Sequence, residues 1–172
     1  MGEGVAAQGE STFKPPAVTF PNGTHICEVE IDPETGTVAV VGYTAVEDIG
    51  RVVHPMLAEG QIQGGVAQGM GQALGEKIVY DENGQLLTGS FMDYSMPRAS
   101  DLPSFVLAFN EVPTKVNPLG AKGVGEAGTV GALAATMNAI NDALAPLDIR
   151  HVDMPATAAS VWAAITNAGQ QR

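Results

Sequence analysis

A single cysteine, Cys27, leaves this 172-residue chain unable to form an internal disulfide, a thiolate zinc site or an iron–sulfur cluster of its own. Basic residues are also scarce: eight Lys and Arg against nineteen Asp and Glu give a formal net charge of −11 and a pI near 4.4. Binding to a nucleic-acid backbone or an anionic membrane surface depends on cationic side chains, so DNA, RNA and acidic lipid are poor partners. No apolar run is long enough to span a bilayer. The start, Met1-Gly2-Glu3-Gly4, lacks the basic-then-apolar pattern of a secretory signal, and a cytoplasmic location is the expectation.

What is present is a core. Hydrophobic residues make up 45% of the chain and charged ones 16%, too apolar for general disorder. A chain of this length suits one compact domain, burying about 70% of the surface its unfolded form would expose.

Residues 1–22 carry Gly, Gln, Ser and prolines without an apolar period and read as a loosely ordered arm; residues 23–172 read as the folded unit. From Thr24 the alternation His-Ile-Cys-Glu-Val-Glu-Ile predicts a strand in which Cys27 serves as a small buried hydrophobe. Asp32-Pro33-Glu34-Thr35-Gly36 predicts a turn, and Thr37 to Val46 the returning strand of a β-hairpin.

Pro55 marks a helix start, since its missing N–H would be unpaired in a first turn anyway. The stretch from Met56 to about Leu74 places Met56, Leu57, Ile62, Val66, Met70 and Leu74 near a four-residue rhythm. It also holds Gly60, Gly64, Gly65, Gly69, Gly71 and Gly75, each costing a helix interior about 1 kcal/mol against Ala. Such a ridge suits the close approach of another backbone or of a flat cofactor.

A second hairpin is predicted for Lys77–Tyr80 and Gln85–Leu87, with Asn83-Gly84 favouring a primed turn. A further strand is expected at Ser104–Phe109. One helix is expected from Thr129 to about Leu144, with Val130, Leu133, Met137, Ile140 and Leu144 on its apolar side and Pro146 ending it. A last helix should follow Thr157 as N-cap and stop before Gly169. The order implies an α+β fold of β-hairpins and short strands packed with three main helices.

Glycines at 120, 123, 125, 128 and 131 surround Lys122 and Glu126 at the mouth of the Thr129 helix. Unpaired N–H groups there favour an anion, so Glu126 reads either as a carboxylate that neutralises the helix dipole or as a proton acceptor. The surrounding glycines would be wasteful for a simple cap and suit a backbone pressed against a ligand. A phosphate loop does not fit, because no Gly-Lys-Ser/Thr occurs. Gly123-Val124-Gly125-Glu126-Ala127-Gly128 matches a dinucleotide fingerprint only literally, with no buried strand before it. His25, His54 and His151 lack metal-ligand spacing and read as structural, and Ser90 lacks the flanking glycines of a nucleophile elbow.

Several longer motifs occur in one order: Gly23-Thr-His-Ile-Cys-Glu-Val-Glu-Ile-Asp-Pro-Glu-Thr-Gly36, Val46-Glu-Asp-Ile-Gly-Arg-Val-Val-His-Pro55, Glu59-Gly-Gln-Ile-Gln-Gly-Gly-Val-Ala-Gln-Gly69, Asp93-Tyr94 with Met96-Pro97, and Asn117-Pro-Leu-Gly-Ala-Lys-Gly-Val-Gly-Glu126. Together, from about Asn22 to Ala168, they resemble the C-terminal part of molybdenum hydroxylase large subunits, the xanthine dehydrogenase, aldehyde oxidase and carbon monoxide dehydrogenase family.

The resemblance implies a molybdopterin, in simple or cytosine dinucleotide form, whose molybdenum takes no protein side chain as ligand. It implies Glu126 as general base, removing a proton from a water-derived hydroxyl that attacks an electrophilic carbon. It also implies Gln61 as a hydrogen-bonding partner of the pterin, and Lys122, Gly123, Val124 and Gly125 as cofactor contacts made chiefly through backbone. The substrate would be an aldehyde, an N-heterocycle or a related carbon centre, or carbon monoxide. Ala127-Gly128 after the glutamate resembles the carbon monoxide dehydrogenase branch, since xanthine-oxidising members usually carry prolines there.

Family large subunits are several times longer, so the resemblance implies a partial site completed by the remainder of the large subunit. Iron–sulfur (2Fe-2S) and flavin (FAD) groups would sit on partner domains or subunits. An isolated segment would expose apolar surface and self-associate as a homo-oligomer. The competing reading is a non-catalytic structural or assembly module that binds partner subunits and no pterin by itself.

Overall fold

A computed structural model describes residues 9–170, in which the elements run β1 (Asn22–Ile31), β2 (Val38–Asp48), α1 (Pro55–Leu74), β3 (Phe105–Phe109), α2 (Ala127–Leu144) and α3 (Ala158–Gln170). The first eight residues of the expected arm, and with them the start pattern, lie outside the described residues. From Gly9 to Pro21 the arm carries neither helix nor strand.

β1 and β2 form the expected antiparallel hairpin, and β3 pairs parallel to the free edge of β2, giving the sheet order β1-β2-β3. At the hairpin turn Asp32 accepts from the amide of Glu34 at 2.9 Å and the hydroxyl of Thr35 at 2.7 Å, the bonds that hold its carboxyl below the usual range. Along β1 the side chains of His25, Cys27, Val29 and Ile31 turn inward and the even-numbered ones outward. Cys27 is half-buried against the core rather than fully enclosed, and burial is the main cause that pushes its thiol up.

A β-bulge opposite Glu28/Val29 shifts the register, so that Glu28 faces Gly42 while Val29 faces Val40. The extra residue reverses the inward face of β2: Val38 and Val40 point in before it, and Tyr43, Ala45 and Glu47 after it. Because of this single residue a glutamate, and not Val46, enters the interior.

α1 starts at Pro55 and ends at Leu74, as its proline and apolar rhythm predict, with His54 as N-cap accepting from Leu57 N. Its buried stripe is Ile62, Val66, Met70 and Ala73, whereas Met56 is 71% exposed and Leu57 also lies outside the core. α2 starts two residues earlier than Thr129, and its buried ladder is Gly128, Ala132, Thr136, Ile140 and Leu144. Val130 is exposed instead of facing the core. The apolar rhythm misplaced these residues because the closest faces of α1 and α2 are built from small side chains. A Cβ at Gly65 would lie 2.9 Å from Thr129 N, and one at Gly69 would lie 2.7 Å from the Ala132 Cβ. Backbone approach of another helix therefore accounts for part of the glycine ridge, while Gly60 and Gly64 face open space.

Two joined cores result. Val40, Tyr43, Ala45, Ile62, Val66, Met70 and Ala132 lie between the sheet and the first two helices. Ile140, Leu144, Ile149, Val152, Ala156 and Val161 seat α3 at the other end.

Two local expectations change. The predicted second hairpin is only a single bridge, Tyr80 to Leu86, because Asp81 Oδ1 takes the amides of Asn83 and Gln85. Gly84 has a positive φ but Asn83 does not, so the primed turn, which needs both, does not form. α3 continues through Gly169 to Gln170 instead of stopping before it. Pro146 does close α2, which tightens into a single 3-10 turn over Ala145–Leu147.

Candidate functional site

The segment Asn117–Glu126 crosses from β3 to α2 and is tied down at several points. Asn117 brackets Ala121 with its side-chain amide, donating to the carbonyl at 2.8 Å and accepting from the amide at 3.2 Å. Gly120 sits at φ +71°, where a side chain would be strained, and its carbonyl accepts from Arg51 N at 2.9 Å and Thr114 N at 3.0 Å. Lys122 N donates to Ile49 O at 2.8 Å, so the segment pairs antiparallel with the chain just beyond β2.

Glu126 is the N-cap residue of α2, exposed, and without a side-chain capping bond. It lines a groove of about 550 Å³ together with Phe20, Gly23, His25, Glu47 and Val130. Gly123 and Gly125 form part of the same wall, and a Cβ on either would meet nothing within 4 Å. Gly125 also lines a second groove, of about 470 Å³, on the side of Gln61, Lys122 and Val124. The bare loop thus separates two openings, with the carboxylate on one of them.

Gln61, exposed on α1, donates from its side-chain amide to Gly125 O at 2.7 Å. The structure therefore brings together Gln61, the Lys122–Gly125 loop and Glu126, which lie up to 65 positions apart in the chain. Val124 packs its side chain onto the core between two exposed glycines, which pins the loop while leaving its backbone bare. Lys122 turns its ammonium away from the loop, 2.5 Å from Asp48 Oδ2. That bond, with the amides of Gly50 and Val112, holds the Asp48 carboxyl below the usual range.

Reading the chain as a sequence missed the polar cluster on the groove floor. His25, assigned a structural role, has Nε2 2.5 Å from Glu47 Oε1 and Nδ1 2.5 Å from the Tyr43 hydroxyl. The Tyr43 phenol is pushed well above its ordinary value, by burial first and then by its acidic neighbours Cys27 and Glu47, and keeps its proton. No sequence signal marks this cluster, because it depends on the bulge that turns Glu47 inward. His54 and His151 lie elsewhere, as a helix cap and as an exposed partner of Asp153.

Among the described residues no group of three His, Cys, Asp or Glu side chains is placed to hold a metal ion, and no helix is long and apolar enough to cross a membrane.

Comparison with known proteins gives one answer. The carbon monoxide dehydrogenase large chain of Afipia carboxidovorans is 39% identical over 87% of this chain and 18% of its own length. The nicotine 6-hydroxylase large subunit of Paenarthrobacter nicotinovorans is 45% identical over 80% of this chain and 17% of its own. The chain therefore spans under a fifth of those relatives. The crystal structure of a Cu,Mo-CO dehydrogenase in its carbon-monoxide-reduced state superposes with a TM-score of 0.88 at 37% identity, covering 93% of this chain and 20% of that one. The family model described as a molybdopterin cofactor-binding domain matches residues 2–103, which include β1, β2 and α1 with Gln61. By that match, and by the fold and relatives that agree with it, this chain belongs to the molybdopterin cofactor-binding domain family.

Proposed function

We propose that this chain is the part of a molybdenum hydroxylase large subunit that presents the general base, Glu126, to a molybdopterin centre. The observation that carries the reading is the placement of Glu126: an exposed carboxylate at a helix N-terminus, free of capping bonds, on a wall of side-chain-free backbone.

The residues present fit such a group. Gly123 and Gly125 leave open the space a flat ring system needs for close approach, and Gly60 and Gly64 do the same on α1. Gln61 lies beside the loop, so Gln61 and the backbone of Lys122–Gly125 would hold the pterin. When bound, the molybdenum–pterin group supplies the two-electron redox chemistry. The chain's own part is proton transfer and orientation. A Glu126 carboxylate oxygen takes the proton from the attacking hydroxyl, and the pinned loop keeps that oxygen aimed at the reacting atoms.

The substrate, on this reading, is a small molecule with an oxidisable carbon: an aldehyde, an N-heterocycle or carbon monoxide. Similarity to a nicotine 6-hydroxylase and a carbon monoxide dehydrogenase supports the last two. The cofactor takes the simple or the cytosine dinucleotide form, and electrons leave through 2Fe-2S and FAD groups on partner domains or subunits in the cytoplasm.

The test is Glu126→Gln in the cofactor-loaded enzyme, which should lower kcat/KM by about 10²- to 10⁴-fold with molybdenum and pterin content unchanged. Normal turnover with full metal content would overturn the assignment.

A further inference from the structure

The end of β2 places two carboxylates next to each other, on opposite faces of the strand, and each reaches one flank of the segment that carries Glu126. Glu47 points inward with a side chain only 3% exposed, bonded to His25, which is 6% exposed. The His25 ring meets Tyr43 edge-on, centroids 5.6 Å apart, and its other side lies against α2. A Cβ at Gly131 would sit 2.5 to 2.6 Å from three atoms of that ring. Gly131 lies five residues after Glu126, in the second turn of the same helix. Asp48 points to the other face, holds Lys122 at 2.5 Å and accepts from Gly50 N and Val112 N at 2.9 and 3.1 Å. Lys122 lies four residues before Glu126.

A buried carboxylate–imidazole pair contributes little net stability, because desolvation offsets most of its attraction. Apolar residues would fill the same space at least as well. What the pair provides is a fixed geometry: a tyrosine hydroxyl donates or accepts, so both ring nitrogens stay bonded whether His25 is neutral or protonated. Gly23 and Gly131 are shaped to the cluster, since a Cβ on the first would overlap the Glu47 carboxylate and on the second the His25 ring.

We propose that Glu47 and Asp48 form a two-sided clamp on Glu126, Glu47 acting through His25 against the second turn of α2 and Asp48 through Lys122 on the loop before it. All four are positioning residues; none needs to touch the reacting atoms. The catalytic consequence rests on the function proposed above, whereas the clamp itself is a property of the fold.

The experiment is amide hydrogen exchange on the purified protein with three single variants, Glu47→Gln, Gly131→Ala and Asp48→Asn. The first two should speed exchange at the bonded amides of residues 130–134 and the third at those of Ala121 and Lys122, by about tenfold or more, with Ile140 and Leu144 unchanged. Gly131→Ala disturbs the ring without altering any charge, and Asp48→Asn removes a charge while keeping the shape of the side chain, so the two flanks are read by different kinds of change. In the cofactor-loaded enzyme the same variants should lower kcat about 10- to 100-fold with KM within about threefold. Unchanged exchange around Glu126 in all three variants overturns the clamp, and local loosening with unaltered kcat in an enzyme that needs Glu126 overturns its catalytic consequence. If Glu126→Gln itself leaves turnover intact while the exchange pattern appears as described, the proposed function fails and the clamp stands.

Discussion

The side-chain amide of Gln61 donates to the carbonyl of Gly125 at 2.7 Å, which ties the solvent side of α1 to the residue before Glu126. Gln61→Ala frees that carbonyl. Since the bond is exposed, the loss in stability should be about 0.5–1.5 kcal/mol. Retention of molybdopterin should weaken more than the Tm suggests, measured as molybdenum and pterin per protein after gel filtration. Full retention would reduce Gln61 to a link between helix and loop.

The glycines of α1 divide into two kinds, and substitution separates them. Gly69→Ala puts a Cβ 2.7 Å from Ala132 and 2.8 Å from Thr129 O, and should destabilise by about 1–3 kcal/mol. Gly64→Ala meets nothing and should stabilise the helix by up to about 1 kcal/mol while reducing cofactor uptake. Urea midpoints for the two variants should move in opposite directions; a shared downward shift would mean that Gly64 is also a packing glycine.

Acid should loosen the Asp48–Lys122 flank. The folded state holds Asp48 below its ordinary value, chiefly through Lys122, so the unfolded chain takes up the proton first. The contribution is present above the unfolded value of about 4 and is lost as pH falls through the folded one. The stability gap between the parent protein and Asp48→Asn should stay level from about pH 5 upward and close below about pH 4, read from denaturant titrations at each pH. A gap that also narrows between neutral and mildly alkaline pH would point to a different group.

Gly36, at φ +72°, seats α3 on the hairpin turn: a Cβ there would overlap Ala158 O and lie 2.5 Å from Trp162 N. Gly36→Ala should destabilise by more than about 1 kcal/mol through both strain and overlap. Trp162 is the one tryptophan of the chain, so its fluorescence should shift to the red as α3 lifts. A stable variant with unshifted emission would contradict this contact.

Sequence patterns located most elements to within a few residues, because their signals are local. Alternation marked β1, Pro55 opened α1, and Pro146 closed α2. They failed where the partner decided. Val130 and Met56 read as core but are exposed, since the meeting faces of α1 and α2 carry glycine and alanine, which hydropathy undervalues. The predicted hairpin after Lys77 shrank to one bridge because an aspartate side chain captured the turn amides.

The candidate site divides the same way. The amino-acid sequence by itself determined the glycine-bare loop, the carboxylate at its end and the helix that follows, since backbone freedom and helix-end chemistry act over a few neighbouring residues. Only the tertiary structure decided which face Glu47 occupies and that His25, 22 residues away in sequence, should meet it. One bulge residue sets that face, and strand pairing, not local preference, determines where the bulge falls.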